Sequence, residues 1–508
     1  MEDITMKNKL ILLTAGLMTM ACSLDKVPGG SIYTEESIRN VEDCYKFLNG
    51  QYSGLKYFTT GAYVYATELQ TDLFHAVKNF GNFDGDFYHY SVTASNDLAE
   101  EAWYGAYANI ANINFLIEGI QNLKNSSSLT DSDAATLDEY YGEACFFRAY
   151  YYWMLTQYYC ETYETATAST AYGVPVVLKY APSGNSDKYP SRGTLQQTYD
   201  QILADLGEAE QFVTRRGTSL SSEITADAVL ALKARIALSM KDYDTARKAA
   251  EDVIATRRYT LVSNSSDYAN GWINDNLSET IFQLAMINST EVGNAYNYFL
   301  YNTSGVEGRD NPQYIPEDWV LDLYDKNRDI RYAAYFDERN VSTPVVGRLT
   351  LLVKYPGNPK LYTTVTNYCN MPKVFRASEM YLIAAEAEHL SSNGTDTKAN
   401  EYLNALRSAR ISGWTDRIYS GEALMEEIRN ERVKELFCEG FRLGDLKRWH
   451  RGFTRSEGQD PTLVMQGENY STCTRPADDP LFLWPIPTSE LEANPNMKDE
   501  QNSGYKMD

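Results

Sequence analysis

Histidine is scarce in this 508-residue chain, basic residues fall well short of acidic ones, and no apolar run is long enough to cross a bilayer as a helix. The four histidines, His75, His89, His389 and His450, are far apart, and none stands in an H-E-x-x-H, G-x-S-x-G or P-loop context. Zinc-protease, serine-hydrolase and nucleotide-binding chemistry therefore have no motif here. The seven cysteines include no C-x-x-C and no Cys/His spacing suited to zinc, so no metal or other cofactor is expected. A net charge of −23 argues against nucleic acid, because phosphate recognition needs a basic surface. It equally argues against an electrostatic hold on anionic lipid.

What is present begins at the amino terminus. Met6-Lys7-Asn8-Lys9 is basic, Leu10 to Met20 is apolar, and Ala21 precedes Cys22 and the polar Ser23. A basic region, an apolar core and a small residue at the cut make residues 1–21 a secretory signal peptide. Glu2 and Asp3 suit such a segment poorly, so Met6 rather than Met1 is the better start. A cysteine directly after the cut is similar to a lipobox, although Thr19 stands where leucine is usual. Cys22 is thus the expected lipidation site, and the alternative is a plain cleavable signal. Acyl chains bury about 0.8 kcal/mol per CH₂, enough for stable anchoring when more than one chain is attached.

Helical periodicity dominates the rest. Apolar residues recur at helical spacing over about 35–57, 98–124, 134–159, 194–213, 224–240, 243–257, 374–392, 396–411 and 421–439. Residues 226–238 and 243–250 form an alanine-rich pair across a Lys241-Asp242 turn, and 377–390 with 399–409 form a second. Large residues alternating with alanine, and short turns between, resemble tetratricopeptide-like helix pairs. The expected fold is mostly α: a helix-pair scaffold over 35–57, 98–159, 194–257 and 374–449, with a loop-rich lobe carrying a few short strands. Residues 22–508 are taken as one domain. Irregular insertions occupy 58–97, 160–193 and 258–373, with short strands expected at Val174–Leu178 and Thr280–Leu284.

Several motifs then follow in order. They are Glu143-Ala144-Cys145-Phe146-Phe147-Arg148-Ala149-Tyr150, and Arg376-Ala377-Ser378-Glu379 running to Ala384-Ala385-Glu386-Ala387. Next come Arg429-Asn430-Glu431-Arg432 to Glu435, Glu439-Gly440-Phe441-Arg442, Asp445-Leu446-Lys447-Arg448-Trp449, and the closing Trp484-Pro485-Ile486-Pro487. The series resembles the SusD/RagB family of nutrient-binding outer-membrane lipoproteins. That resemblance implies a non-catalytic protein that binds oligo- or polysaccharide at the cell surface. It also implies a TonB-dependent, SusC-like transporter as partner. Peptide capture by the same architecture, or a tetratricopeptide-like protein-interaction scaffold, are the rival functions.

The signature charges are expected to be structural. Glu431 and Glu435 lie one turn apart on a helix with an apolar face, and Arg148 is a candidate partner for such a carboxylate. Ligand contacts are assigned to the insertions, because sugars present apolar C–H faces ringed by hydroxyls. Aromatic rings beside amides and carboxylates suit that chemistry. The chain holds 40 tyrosines, and the candidate ligand residues are Trp272, Tyr296, Tyr298, Trp319, Asp72, Tyr88, Tyr90 and Asn96. The anchor is directly testable: an alkyne-palmitate label should attach to the wild-type protein and be lost in Cys22→Ser. An unmodified mature terminus would refute it.

Overall fold

Nearly every long helix opens on a side chain that caps it. Asn40, Asn96, Thr130, Thr194, Thr225, Asp242 and Thr395 each accept a backbone N–H from the first turn, and Thr194 with Gln197 completes a reciprocal capping box. The long helices are Val41–Phe58, Asp97–Lys124, Asp131–Tyr159, Leu195–Phe212, Ala226–Ser239, Tyr243–Ala255, Ala377–Leu390, Asp396–Arg410 and Gly421–Glu435, of which Ala377–Leu390 and Gly421–Glu435 lack a side-chain cap. Each lies within a few residues of its expected position. This computed structural model describes residues 37–126, 129–292, 299, 308–342, 345–363 and 368–505. The signal segment and Cys22 lie outside them.

Both alanine-rich pairs form. Ala228, Ala231 and Ala234 are buried against Ala246, Ala249 and Ala250, whose small side chains let the two axes approach closely. The Ala377–Leu390 helix packs on Tyr243–Ala255 and on Asp396–Arg410, which extends the stack. The fold is mostly α, with strands confined to two-stranded sheets.

Three local readings change. Residues 374–376 are not helix: Lys373–Arg376 is a strand antiparallel to Thr280–Gln283, and the helix starts at Ala377. Val174–Leu178 forms no strand. It lies extended on the helices, where Tyr152 Oη donates to the Val177 carbonyl at 2.8 Å and accepts from its N–H at 2.7 Å, while Asn114 donates to the same carbonyl. Side chains thus satisfy the groups a neighbouring strand would have paired. The insertions also hold more regular structure than their composition suggested. Short helices span Ala62–Leu69, Gly85–His89, Ser265–Ile273 and Ile330–Tyr335, and Phe336–Ser342 pairs with Val346–Leu352 as a hairpin.

The lobe has its own apolar core, built from Leu69, Phe74, Tyr88, Tyr268, Trp272, Tyr314, Tyr335, Phe336 and Phe437. Cys44, Cys145, Cys160, Cys369 and Cys438 are buried free thiols.

Lobe and scaffold are locked by a buried ionic cluster. Glu435 is fully buried and pairs with Arg376 at 2.8 Å, Arg410 at 2.9 Å and Arg331 at 3.0 Å. Arg376 and Arg410 also hold Glu279, while Glu431 pairs with Arg331, Arg407 and Lys434. Three guanidinium groups hold the Glu435 carboxyl well below the usual carboxylate range despite its burial. Arg148 is not among these partners. It forks onto Asp205 at 2.6 and 2.9 Å and onto Asn114 at 2.8 Å, within the scaffold. Removing one member of such a cluster strands the others without compensation. Glu435→Gln should lower unfolding free energy by about 3–5 kcal/mol, read from denaturant midpoints.

Candidate functional site

The first insertion carries a cluster of strained backbone. Asn79, Asn82, Asp84 and Tyr90 all have φ between 49° and 62°, the left-handed region that non-glycine residues rarely occupy. Strain of this kind persists only where surrounding contacts over-determine it. Those contacts are specific. Arg455 is buried and donates to the carbonyls of Leu69 at 2.8 Å, Tyr88 at 2.9 Å and Thr71 at 3.1 Å. Its guanidinium lies 3.6 Å from the centre of the Tyr88 ring. One cation therefore staples both ends of the segment. Phe74–Ala76 pairs with Tyr314–Pro316, and Tyr314 Oη donates to the Phe83 carbonyl at 2.8 Å.

On this base sits a platform of rings. Tyr470 is half-buried and is surrounded by His89 at 5.0 Å, Tyr88 at 6.1 Å and Phe80 at 6.2 Å between centroids. Phe80 packs edge-on to Tyr314 at 5.6 Å. Phe83 is 49% exposed, and its ring lies over Gly81, where an added Cβ would fall 2.6 Å from a ring carbon. Asn79, Asn82 and Asp86 on the same segment, and Asn469 next to Tyr470, are exposed. Burial, reinforced by Arg455, lowers the His89 pKa, so its ring is neutral at physiological pH. Burial raises the Asp84 pKa, opposed by a hydrogen bond from Tyr65. The arrangement offers apolar stacking faces, amides and carboxylates together, and contains no nucleophile–base pair.

The sequence-named residues fall in different places. Tyr88 is fully buried beneath the platform and serves as its floor. Tyr90 ends the short helix; its hydroxyl donates to the Gln70 carbonyl and Arg475 covers its ring at 4.2 Å. Asn96 caps the Asp97–Lys124 helix through Ala99 N–H at 3.1 Å. Asp72 and Trp319 come together at the opposite end of the Phe74–Ala76 ribbon. Trp319 donates to the Asp72 carbonyl at 2.7 Å, and Arg442 binds the Asp72 carboxylate at 2.8 and 2.9 Å. Trp272 is elsewhere, only 1% exposed, with Lys354, Lys373 and Arg376 stacked 4.5–5.3 Å from its ring. It serves as a cation platform in the interior and presents no face to solvent. Tyr296 and Tyr298 lie outside the described residues. Sequence reasoning missed Phe80, Tyr470 and Arg455. Tyr470 sits in the Gly467-Glu468-Asn469 turn, whose composition marks a loop and nothing more.

Residues 296–505 match the family model described as SusD family, and residues 48–238 match one described as starch-binding associating with outer membrane. The chain is 23% identical to the SusD-like protein P38 of Formosa agariphila, over 98% of both chains. Among solved structures, a SusD superfamily protein of Bacteroides thetaiotaomicron is 27% identical with a TM-score of 0.76, covering 91% of this chain and all of that one. Surface glycan-binding protein A of Bacteroides fluxus shares the fold at 20% identity and a TM-score of 0.67, over 91% of this chain and 99% of its own.

Glu68, on the Ala62–Leu69 helix just before the ribbon, ties the site to the scaffold. Its carboxyl accepts from Gly440 N–H at 2.5 Å and Phe441 N–H at 3.1 Å. Burial pushes its pKa up to about 8, against about 4.5 in the unfolded chain. The neutral form is thus favoured in the fold. Its contribution to stability is complete in acid and falls as pH rises from about 4.5 through 8. Glu68→Gln should flatten this decline, measured as melting temperature between about pH 5 and 9.

Proposed function

The chain belongs to the SusD family, and on that premise we propose that it is a lipid-anchored cell-surface protein that captures oligo- or polysaccharide. The bound glycan passes to a TonB-dependent, SusC-like outer-membrane transporter. The action is reversible binding without turnover.

The observation that carries this reading is the preorganised aromatic platform. A sugar ring has an apolar face and a polar rim, so a binder needs stacking surface flanked by hydrogen-bonding groups. Phe83, Phe80 and Tyr470 supply the surface; Asn79, Asn82, Asp86 and Asn469 supply the rim. Because Arg455 and the ribbon already hold the strained segment in place, binding costs little ordering of the protein. The match of residues 48–238 to a starch-binding description supports the same ligand class, since the platform segment lies inside that range.

The anchor at Cys22 is read from the signal segment that precedes it, and the transporter from the family. An acidic chain of net charge −23 needs acyl chains rather than surface charge to remain on an anionic membrane. Co-purification in mild detergent should bring down a large outer-membrane barrel.

Phe83→Ala combined with Tyr470→Ala should weaken glycan binding at least tenfold, about 1.4 kcal/mol or more. Melting temperature should change little, because both rings are partly exposed. Isothermal titration against a glycan panel, with a peptide library in parallel, decides the matter. Unchanged glycan affinity rejects the platform, and preferential peptide binding rejects the ligand class.

A further inference from the structure

The segments that present the platform carry exposed charge of one sign. Asp84 and Asp86 stand on either side of Gly85, directly after Phe83, and Glu468 lies two residues before Tyr470. Asp86 and Glu468 are exposed, and Asp84 is half-buried. Asp86 accepts from Ser91 Oγ at 3.2 Å, and Asp84 accepts from the Tyr65 hydroxyl. Neither bond brings a positive charge. Among the described residues none of the three carboxylates has an ion-pair partner.

Their fields reach the rings. Burial lowers the His89 pKa and Asp86 works against it; burial raises the Tyr314 pKa, and Tyr88 and Asp84 add to the rise. His89 meets Tyr470 at 5.0 Å and Tyr314 meets Phe80 at 5.6 Å, so both carboxylates lie within electrostatic reach of the platform. The cations of the same region are engaged. Arg455 is 2% exposed, and each of its three nitrogens donates to a backbone carbonyl beneath the platform. Arg475 pairs with Asp479 at 2.5 Å. Lys78 donates to the Thr462 carbonyl at 2.7 Å, on a turn that carries its own carboxylate, Asp460.

We propose that the platform selects by charge: it takes neutral, hydroxyl-rich glycan and rejects glycan that bears uronate or sulfate groups. This rests on the glycan-capture reading of the platform and adds to it the class of sugar. A hydroxyl both donates and accepts, whereas a carboxylate or sulfate only accepts. Hydroxyls at the edge of a stacked ring therefore donate to Asp84, Asp86 and Glu468, in hydrogen bonds strengthened by the acceptor's charge. An anionic substituent at the same edge finds acceptors and like charge instead. The net charge of −23 adds a longer-range repulsion that slows the approach of any polyanion.

The test is calorimetric titration of the full chain in mild detergent against a panel of neutral oligosaccharides. The tightest binder is then titrated again after oxidation of its primary hydroxyls to carboxylates. At about 20 mM salt the oxidised form should bind about tenfold more weakly, and about 500 mM salt should narrow that gap. Asp84→Asn combined with Asp86→Asn should narrow it at low salt. Oxidation also removes hydroxyls, but a loss from that cause responds neither to salt nor to these substitutions. The readout is the ratio of the two affinities, so a general weakening in the variant cancels. Should the double variant fold poorly, the salt dependence of the wild type decides alone. Equal or tighter binding of the oxidised form, or a gap that ignores salt, overturns the charge selectivity and leaves the platform reading standing. Neutral binding that survives Phe83→Ala with Tyr470→Ala rejects the platform itself, and a panel that does not bind at all rejects both.

Discussion

The carboxylate of Glu435 is the point on which the two halves of the molecule agree. It sits at the end of the Gly421–Glu435 helix and receives Arg376 from the start of one helix, Arg410 from the end of another, and Arg331 from the lobe. Glu279, at the head of the Thr280–Gln283 strand, closes the ring through Arg376 and Arg410. Replacing such a cluster by matched apolar side chains can be neutral or stabilising, so its value is not raw stability. Its effect here is positional. A slip of any one element by a single residue would leave a charge buried and uncompensated. The cluster therefore fixes how the irregular lobe seats on the helical stack.

From that anchor a chain of contacts runs outward to the platform. Glu439 binds Arg376 and Lys354, the Gly440 and Phe441 amides rest on Glu68, and Arg442 grips Asp72 at the root of the Phe74–Ala76 ribbon. Arg455 then holds the ends of the 69–88 segment through three carbonyls. Rigidity is thus handed from the core to the site by charged groups bonded to backbone. The left-handed backbone at Asn79, Asn82 and Asp84 is affordable only on such a support. Melting the Glu435 cluster should loosen the platform even though none of its members touches it.

The helical scaffold was legible because periodicity and alanine spacing are local properties. The helix Asp97–Lys124 and the two alanine-rich pairs are written in adjacent turns. The fate of an aromatic residue in an insertion is not local. Trp272 looks like a stacking residue until Lys354, Lys373 and Arg376, each more than 80 positions away, are found around its ring. Arg148 was correctly read as needing a carboxylate, but which one depended on the packing of Leu195–Phe212 against Asp131–Tyr159, and Asp205 won. Val174–Leu178 has strand composition and lacks only a strand neighbour, which Tyr152 and Asn114 replace. In each case the residue's chemistry was readable and its partner was not.

The tyrosine content follows from the same logic. A lobe with little regular structure buries backbone groups that no ladder satisfies, and each must find a partner. Tyrosine fills space with its ring and bonds the backbone with its hydroxyl, so one residue type meets both needs. Tyr324 does so at Lys434, Tyr355 at Cys438, Tyr314 at Phe83 and Tyr505 at Leu483, at 2.8–3.0 Å. An abundance of aromatic residues is therefore weak grounds for a binding surface in this fold, since many are consumed by the interior. The informative rings are those the interior does not hide. Phe83 is 49% exposed, held by its own carbonyl to a buried tyrosine, over a glycine that admits it and between backbone turns that strain to present it. Its exposure is something the surrounding structure is built to maintain, and that is the physical reason to place recognition there.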